Sequence, residues 1–158
     1  MTANAPNIDW YDYSFSELTT EMLYSILRLR QEVFIIEQNC NYLDADGVDL
    51  TAFHLMGLIN NEPAMYTRYF IAKDNPQHGI IGRVIVHSKF RGLGLGLLLM
   101  EHTERCFKQR HNLNKITLGA QAHLQFFYEQ LGYSVYGDPY DEDNIPHLPM
   151  RKNIPFNE

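Results

Sequence analysis

The stretch KFRGLGLGLLLMEH, Lys89 to His102, places Gly92, Gly94 and Gly96 at alternate positions where a helix begins. Beyond Gly96 the residues Leu97, Leu98, Met100, Thr103, Glu104 and Phe107 fall at helical spacings. Each glycine inside that helix would cost about 1 kcal/mol relative to alanine, so something must offset the loss. Two reasons are open: a tight helix-initiating turn, or a bare backbone against which a ligand is held. A strand ending at Val86, a short loop and a helix N-terminus together present unpaired N–H groups at the positive end of a helix dipole. Phosphate oxygens suit such a place, and Arg91 at its mouth adds charge. The spacing does not fit a P-loop, which needs lysine and a hydroxyl residue where Leu97 and Leu98 stand. Nor does it fit a dinucleotide fingerprint, which needs glycine at Leu97 and usually follows the first strand.

Other residue types with chemical potential are the carboxylates. Asp44, Asp46 and Asp49 cluster in DADGVD, and Asp138, Asp141, Glu142 and Asp143 in DPYDED. The first cluster lacks the calcium-loop spacing: its glycine comes early, Val48 replaces a ligand and the closing glutamate is missing. Both clusters read as solvated loop charge, with a site for a cationic acceptor as the alternative. Cys40 and Cys106 have no metal or redox spacing and read as reduced, partly buried thiols.

These residues belong to a 158-residue chain, long enough for a proper core without disulfides or metals. Hydrophobic residues at 45% and aromatics at 13% exclude global disorder, and no apolar run is long enough to span a bilayer. A net charge of −6 without any Lys/Arg cluster argues against nucleic acid. It favours cationic acceptors. Residues 1–7 read as a disordered tail and 8–158 as one domain, with the cytoplasm as the expected compartment. Strands are expected at Ile8–Phe15, in a hairpin around Asn60–Glu62, at GIIGRVIV, KITLGA, YSVYG and HLPMR. Helices are expected at Thr20–Phe34, from the glycines to Arg110, and in HLQFFYEQLGY, ended by Gly132.

Arg91, Gly94 and Gly96 form an Arg-x-x-Gly-x-Gly motif after a strand ending in VIV, which resembles the pyrophosphate signature of the GNAT superfamily of N-acetyltransferases. Downstream, AHLQFFYEQLGY resembles that superfamily's late helix, with Tyr128 followed by Gly132 and Tyr133. The order of elements matches from Ile8 to about Arg151. RQEVFIIEQNCNYLDADGVD, GAQAHLQFFYEQLGY and EDNIPHLPM are similar to the ElaA-like branch.

The resemblance implies an α/β (α+β) fold, a mixed and mostly antiparallel sheet of about six to seven strands with helices on both faces. It implies an acetyl-CoA-dependent N-acetyltransferase in which a primary amine attacks the thioester directly in a ternary complex, without a metal. Val84, Ile85 and Val86 would pair with pantetheine on a splayed strand. Arg91, Gly92, Leu93, Gly94, Leu95, Gly96 and Leu97 would hold the pyrophosphate. Tyr128 would protonate the departing thiolate, its alternative being a core aromatic. Gln121 takes a place often held by an asparagine that contacts pantetheine. Several superfamily members carry a glutamate base on the strand before the glycines, whereas this strand offers Arg83. Glu37, His123 and His147 are the candidate bases, and ordered water or an already neutral amine would need none. The partner expected is a small-molecule or peptide amine, with a cationic one favoured, and neither nucleic acid nor membrane; a homodimer is admitted. The alternative function is a non-catalytic CoA-binding sensor or pseudoenzyme.

Overall fold

The computed structural model describes residues 5–155, so the expected tail, residues 1–7, lies partly outside the described residues. The chain opens with β1 (Asp9–Ser14). α1 (Thr20–Arg30) starts on Thr19, whose Oγ1 accepts the Met22 N–H at 3.1 Å and so satisfies one orphan donor of the first turn. The helix runs past Phe34: a wider-turned segment, Gln31–Glu37, continues it with i→i+5 bonds from Gln38 N–H to the Val33 carbonyl and from Cys40 N–H to the Ile35 carbonyl. An irregular loop with one short helical turn at Val48–Leu50 leads to β2 (Phe53–Ile59) and β3 (Glu62–Ile71). Asn60 and Asn61 join these two strands with φ of +50° and +63°, the left-handed pair that a two-residue hairpin requires.

β4 (His78–Val86), α2 (Leu95–Arg110), β5 (Lys115–Gln121) and the five-residue α3 (Gln125–Glu129) follow. Then come β6 (Ser134–Val135), β7 (Tyr140–Glu142) and β8 (Ile145–Asn153). β7 lies within the acidic stretch that read as a loop. The Asp143–Asn144 pair, with φ of +49° and +62°, turns it back onto β8. Among the described residues the sheet is therefore eight-stranded, ordered β1-β2-β3-β4-β5-β8-β6, with β7 also on β8. All its pairings are antiparallel except β4 with β5.

Apolar residues cover both faces. On one side Ile26, Leu29 and Val33 pack on Met56, Tyr66 and Ile85. On the other, Leu95, Leu99 and Phe107 of α2 join Leu55, Met65, Ile81 and Ile116. β4 changes the residues it gives to each core at a bulge: Tyr66 faces Ile85, but Arg68 faces Gly82, leaving Arg83 and Val84 opposite Thr67 alone. Arg83 takes φ of +52° there, and Thr67 Oγ1 donates to the Gly82 carbonyl at 2.8 Å. Strict alternation would put Ile81 and Ile85 on one face; the extra residue sends them to opposite faces.

Candidate functional site

The sheet opens on the other edge of the same strand. β4 and β5 pair in parallel only from His78–Lys115 to Ile80–Thr117, after which they diverge while β5 stays zipped to β8 through Gln121–His147. The β5-facing backbone edge of Val84, Ile85 and Val86 therefore has no strand partner among the described residues. A cavity of about 650 Å³ occupies the gap. It is bounded by this edge, the wide-turned Gln31–Glu37 segment, the start of α2, the short helical turn after β5 and the β7–β8 hairpin.

At one end stands the glycine loop. Gly92 and Gly94 have φ of +80° and +73°, and a Cβ on either would meet nothing within 4 Å. Their side-chain-free, left-handed backbone explains the composition, and the space beside them is free for a ligand. Gly94 caps α2, and the first helical bond is from Leu98 N–H to the Gly94 carbonyl at 3.4 Å, so the N–H groups of Leu95, Gly96 and Leu97 precede it. Gly96 lines the cavity beneath the Phe127 ring, Leu95 is buried in the core, and Leu93 is 60% exposed. Arg91 sits at the mouth, but its guanidinium is engaged: Nε donates to the Val86 carbonyl at 2.9 Å, and both Nη groups clasp the Glu37 carboxylate. That ion pair occupies the carboxylate of one candidate base.

Tyr128 is buried, with Phe127 and Tyr133 edge-on to its ring at 4.9 and 6.1 Å. Gly132, at φ of +93°, ends the helix and lets Tyr133 return to it, with Tyr133 N–H bonded to the Tyr128 carbonyl at 3.2 Å. The tyrosine–glycine–aromatic spacing thus has a structural cause. Tyr133 spends its hydroxyl on Glu104 at 2.9 Å, whereas that of Tyr128 has no hydrogen-bond partner among the described residues and the residue lines the cavity. Burial pushes the Tyr128 phenol up to about 12, so it is a protonated donor at neutral pH.

The remaining candidates are unequal. His123 is exposed on a turn after β5. His147 is buried on β8, stacked on Tyr140, with Nδ1 bonded to the Ile145 carbonyl at 2.7 Å. A carbonyl can only accept, so Nδ1 carries the proton; in the neutral ring Nε2 has the lone pair, with Glu142 3.7 Å away. Gln121 exchanges amide hydrogen bonds with Gln38 at 3.1 and 3.4 Å, tying the cavity's two walls together.

The DADGVD carboxylates are not solvated loop charge. Asp44 and Asp49 are buried and meet Arg30, itself fully buried, at 2.7 Å each. Asp46 and Asp49 hold Arg68 at 2.6 and 2.9 Å, and Asp44 holds Arg83 of the bulge at 2.7 Å. Hydrogen bonds from Arg68 keep the Asp46 carboxyl far below its usual range; burial alone would raise that of Asp49, but Arg30 and Arg68 outweigh it and lower it. The network pins the loop carrying Tyr42 to the cavity side of the sheet. Sequence reasoning missed Gln38, Tyr42, Arg68, Phe70 and Tyr140 as cavity residues. The one available signal was Arg68 and Arg83 inside the largely apolar strands β3 and β4. Among the described residues no group of His, Cys, Asp and Glu could hold a metal, and no helix is long and apolar enough to cross a membrane.

Comparison with known proteins agrees with this geometry. Residues 62–154 match the acetyltransferase (GNAT) domain family. Protein ElaA of Escherichia coli is 41% identical over 149 residues, covering 93% of this chain and 97% of ElaA. The crystal structure of Escherichia coli ElaA superposes with a TM-score of 0.87 over 93% of this chain and 100% of that one. An acyl-CoA N-acyltransferase from Pseudomonas aeruginosa, 37% identical, also gives 0.87, over 92% and 99%. The open β4 edge, the glycine-capped helix and the unpartnered tyrosine thus sit in a chain that belongs to the GNAT acetyltransferase family and is ElaA-like.

Proposed function

We propose that this protein transfers the acetyl group of acetyl-CoA to a primary amine by direct attack in a ternary complex. The observation that carries the reading is the opened strand edge at Val84–Val86, which leads from the N–H groups capping α2 to the Tyr128 hydroxyl. In this reading the diphosphate lies on the backbone of Gly92 to Leu97, and the pantetheine amides pair with the free edge of β4 as a neighbouring strand would. An N–H of that edge polarises the thioester carbonyl and stabilises the oxyanion as the amine adds. His147 Nε2 takes the proton from the attacking nitrogen, the C–S bond breaks, and Tyr128 delivers a proton to the leaving sulfur. Burial keeps this phenol protonated at neutral pH, with its proton available to the leaving sulfur. Glu142 and Asp143 at the hairpin tip support an acceptor that enters carrying an ammonium group and releases that extra proton to solvent before the nitrogen attacks.

Isothermal titration with acetyl-CoA, run beside a thiol-release assay on an amine panel, tests the reading. Micromolar binding with amine-dependent thiol release is expected. Binding without release on any amine would identify a CoA sensor instead, and absence of binding would refute both.

A further inference from the structure

Beyond the bulge the cavity is also lined by the aromatic residues Phe34, Tyr42 and Phe70. Arg83 stands on this wall, its side chain 19% exposed and its guanidinium 5.9 and 5.8 Å from the ring centres of Phe34 and Tyr42. Nε donates to Asp44 Oδ1 at 2.7 Å, and Nη2 to the Asp44 carbonyl at 3.1 Å and Asp46 Oδ2 at 3.5 Å; Nη1 has no partner among the described residues. Arg68 on the same wall is buried and likewise has an unpartnered Nε. In the network the charges of Asp44, Asp46 and Asp49 are balanced by Arg30, Arg68 and Arg83, while N–H donors are left over. Such a wall offers nothing to a second cation and has hydrogen bonds to give to an anion. Across the cavity, Cys40 Sγ donates to the Asp143 carbonyl at 3.5 Å, which brings the hairpin carrying Glu142 and Asp143 against the loop carrying Tyr42.

Given the acylation reading above, on which this rests, we infer that the acceptor is a zwitterionic amine of the amino-acid type with an apolar side chain. Its carboxylate takes the free Nη1 edge of Arg83 as a charge-assisted hydrogen bond. The apolar body lies against Phe34, Tyr42 and Phe70, and the amino group faces the carboxylates of the hairpin before it is deprotonated. A polyamine satisfies the hairpin but leaves the Arg83 donors unmet; a simple carboxylate has no group for the hairpin.

Calorimetric titration into the protein, with and without saturating coenzyme A, tests this without requiring turnover. The probes are two pairs: L-phenylalanine with phenethylamine, and L-leucine with 3-methylbutylamine. In each pair the amino acid is expected to bind at least about tenfold tighter, the increment of one charge-assisted hydrogen bond. Arg83→Met should erase that preference while leaving coenzyme A affinity intact, and Arg83→Lys should restore part of it. Equal or tighter binding of the decarboxylated amines, no binding of either pair, or a preference that survives Arg83→Met overturns the inference. If Arg83→Met fails to fold, the wild-type pairs alone decide. A clear preference without thiol release would refute the acetyl-transfer reading and leave the zwitterion site standing; thiol release that favours phenethylamine would do the reverse.

Discussion

Replacing Tyr128 with phenylalanine separates a proton donor from a core aromatic. The ring is 5% exposed, its packing against Phe127 and Tyr133 involves ring faces and edges only, and the hydroxyl has no hydrogen-bond partner among the described residues. Removing the oxygen therefore leaves the buried apolar contacts in place and breaks no internal hydrogen bond. The stability change should stay within about 0.5 kcal/mol, a shift in melting temperature of roughly 1–2 °C for a domain of this size. Acetyl-CoA affinity should be equally indifferent. The rate should not be: losing a general acid costs about 10²-fold in kcat, near 3 kcal/mol of transition-state stabilisation. Because burial holds the phenol at about 12, the wild-type rate should show no limb from Tyr128 between pH 6 and 10. The assay is steady-state thiol release on a responsive amine, with calorimetry and thermal unfolding alongside. Unchanged kcat in a folded Tyr128→Phe protein would falsify the donor role; a large loss of stability would show that the hydroxyl serves the core.

Three further outcomes follow from the geometry. Gly94→Ala places a methyl group at φ of +73° in open space, so the fold should survive a cost of about 1–2 kcal/mol. Its acetyl-CoA affinity, read by calorimetry, should drop at least about tenfold, and an unchanged Kd would remove the diphosphate from the glycine loop. Arg30→Leu leaves Asp44 and Asp49 buried with one cation fewer, which should cost about 3–5 kcal/mol in urea unfolding. A loss below about 1 kcal/mol would mean the network does not carry the loop. The native-state carboxyls of Asp46 and Asp49 lie below their unfolded values. Their contribution is present above roughly pH 4, the unfolded carboxyl range, and disappears as pH falls from there toward the native values. The melting temperature should thus decline below about pH 4, and Asp49→Asn should flatten that decline; an unflattened profile places the acid sensitivity elsewhere.

Legibility from sequence was uneven, and particular residues show why. The Asn60–Asn61 turn, the strand that ends at Val86 and the glycine spacing before α2 all depend on the chemistry of residues within a turn or two of one another. So does the Tyr128–Gly132–Tyr133 pattern, since a left-handed residue must follow the helix for the aromatic to return. The acidic stretches failed for the opposite reason. DADGVD is polar and contains glycine, as a solvated loop is, and the partners that bury it lie 14 to 39 residues away.

The sequence by itself determined the glycine-capped helix, the terminal aromatic motif and the alternation that builds the strands, because these are local in steric and hydrogen-bonding terms. Tertiary structure alone decided that β4 bulges at Arg83, which reverses its face, and that β4 parts from β5 beyond Ile80, where the cavity lies. It alone decided that Glu37 is clasped by Arg91, that Gln38 meets Gln121, and that His147 receives its tautomer from the Ile145 carbonyl. Charge pairing and burial depend on which segments return to the same place in space, and residue type and spacing along a chain do not contain that distance.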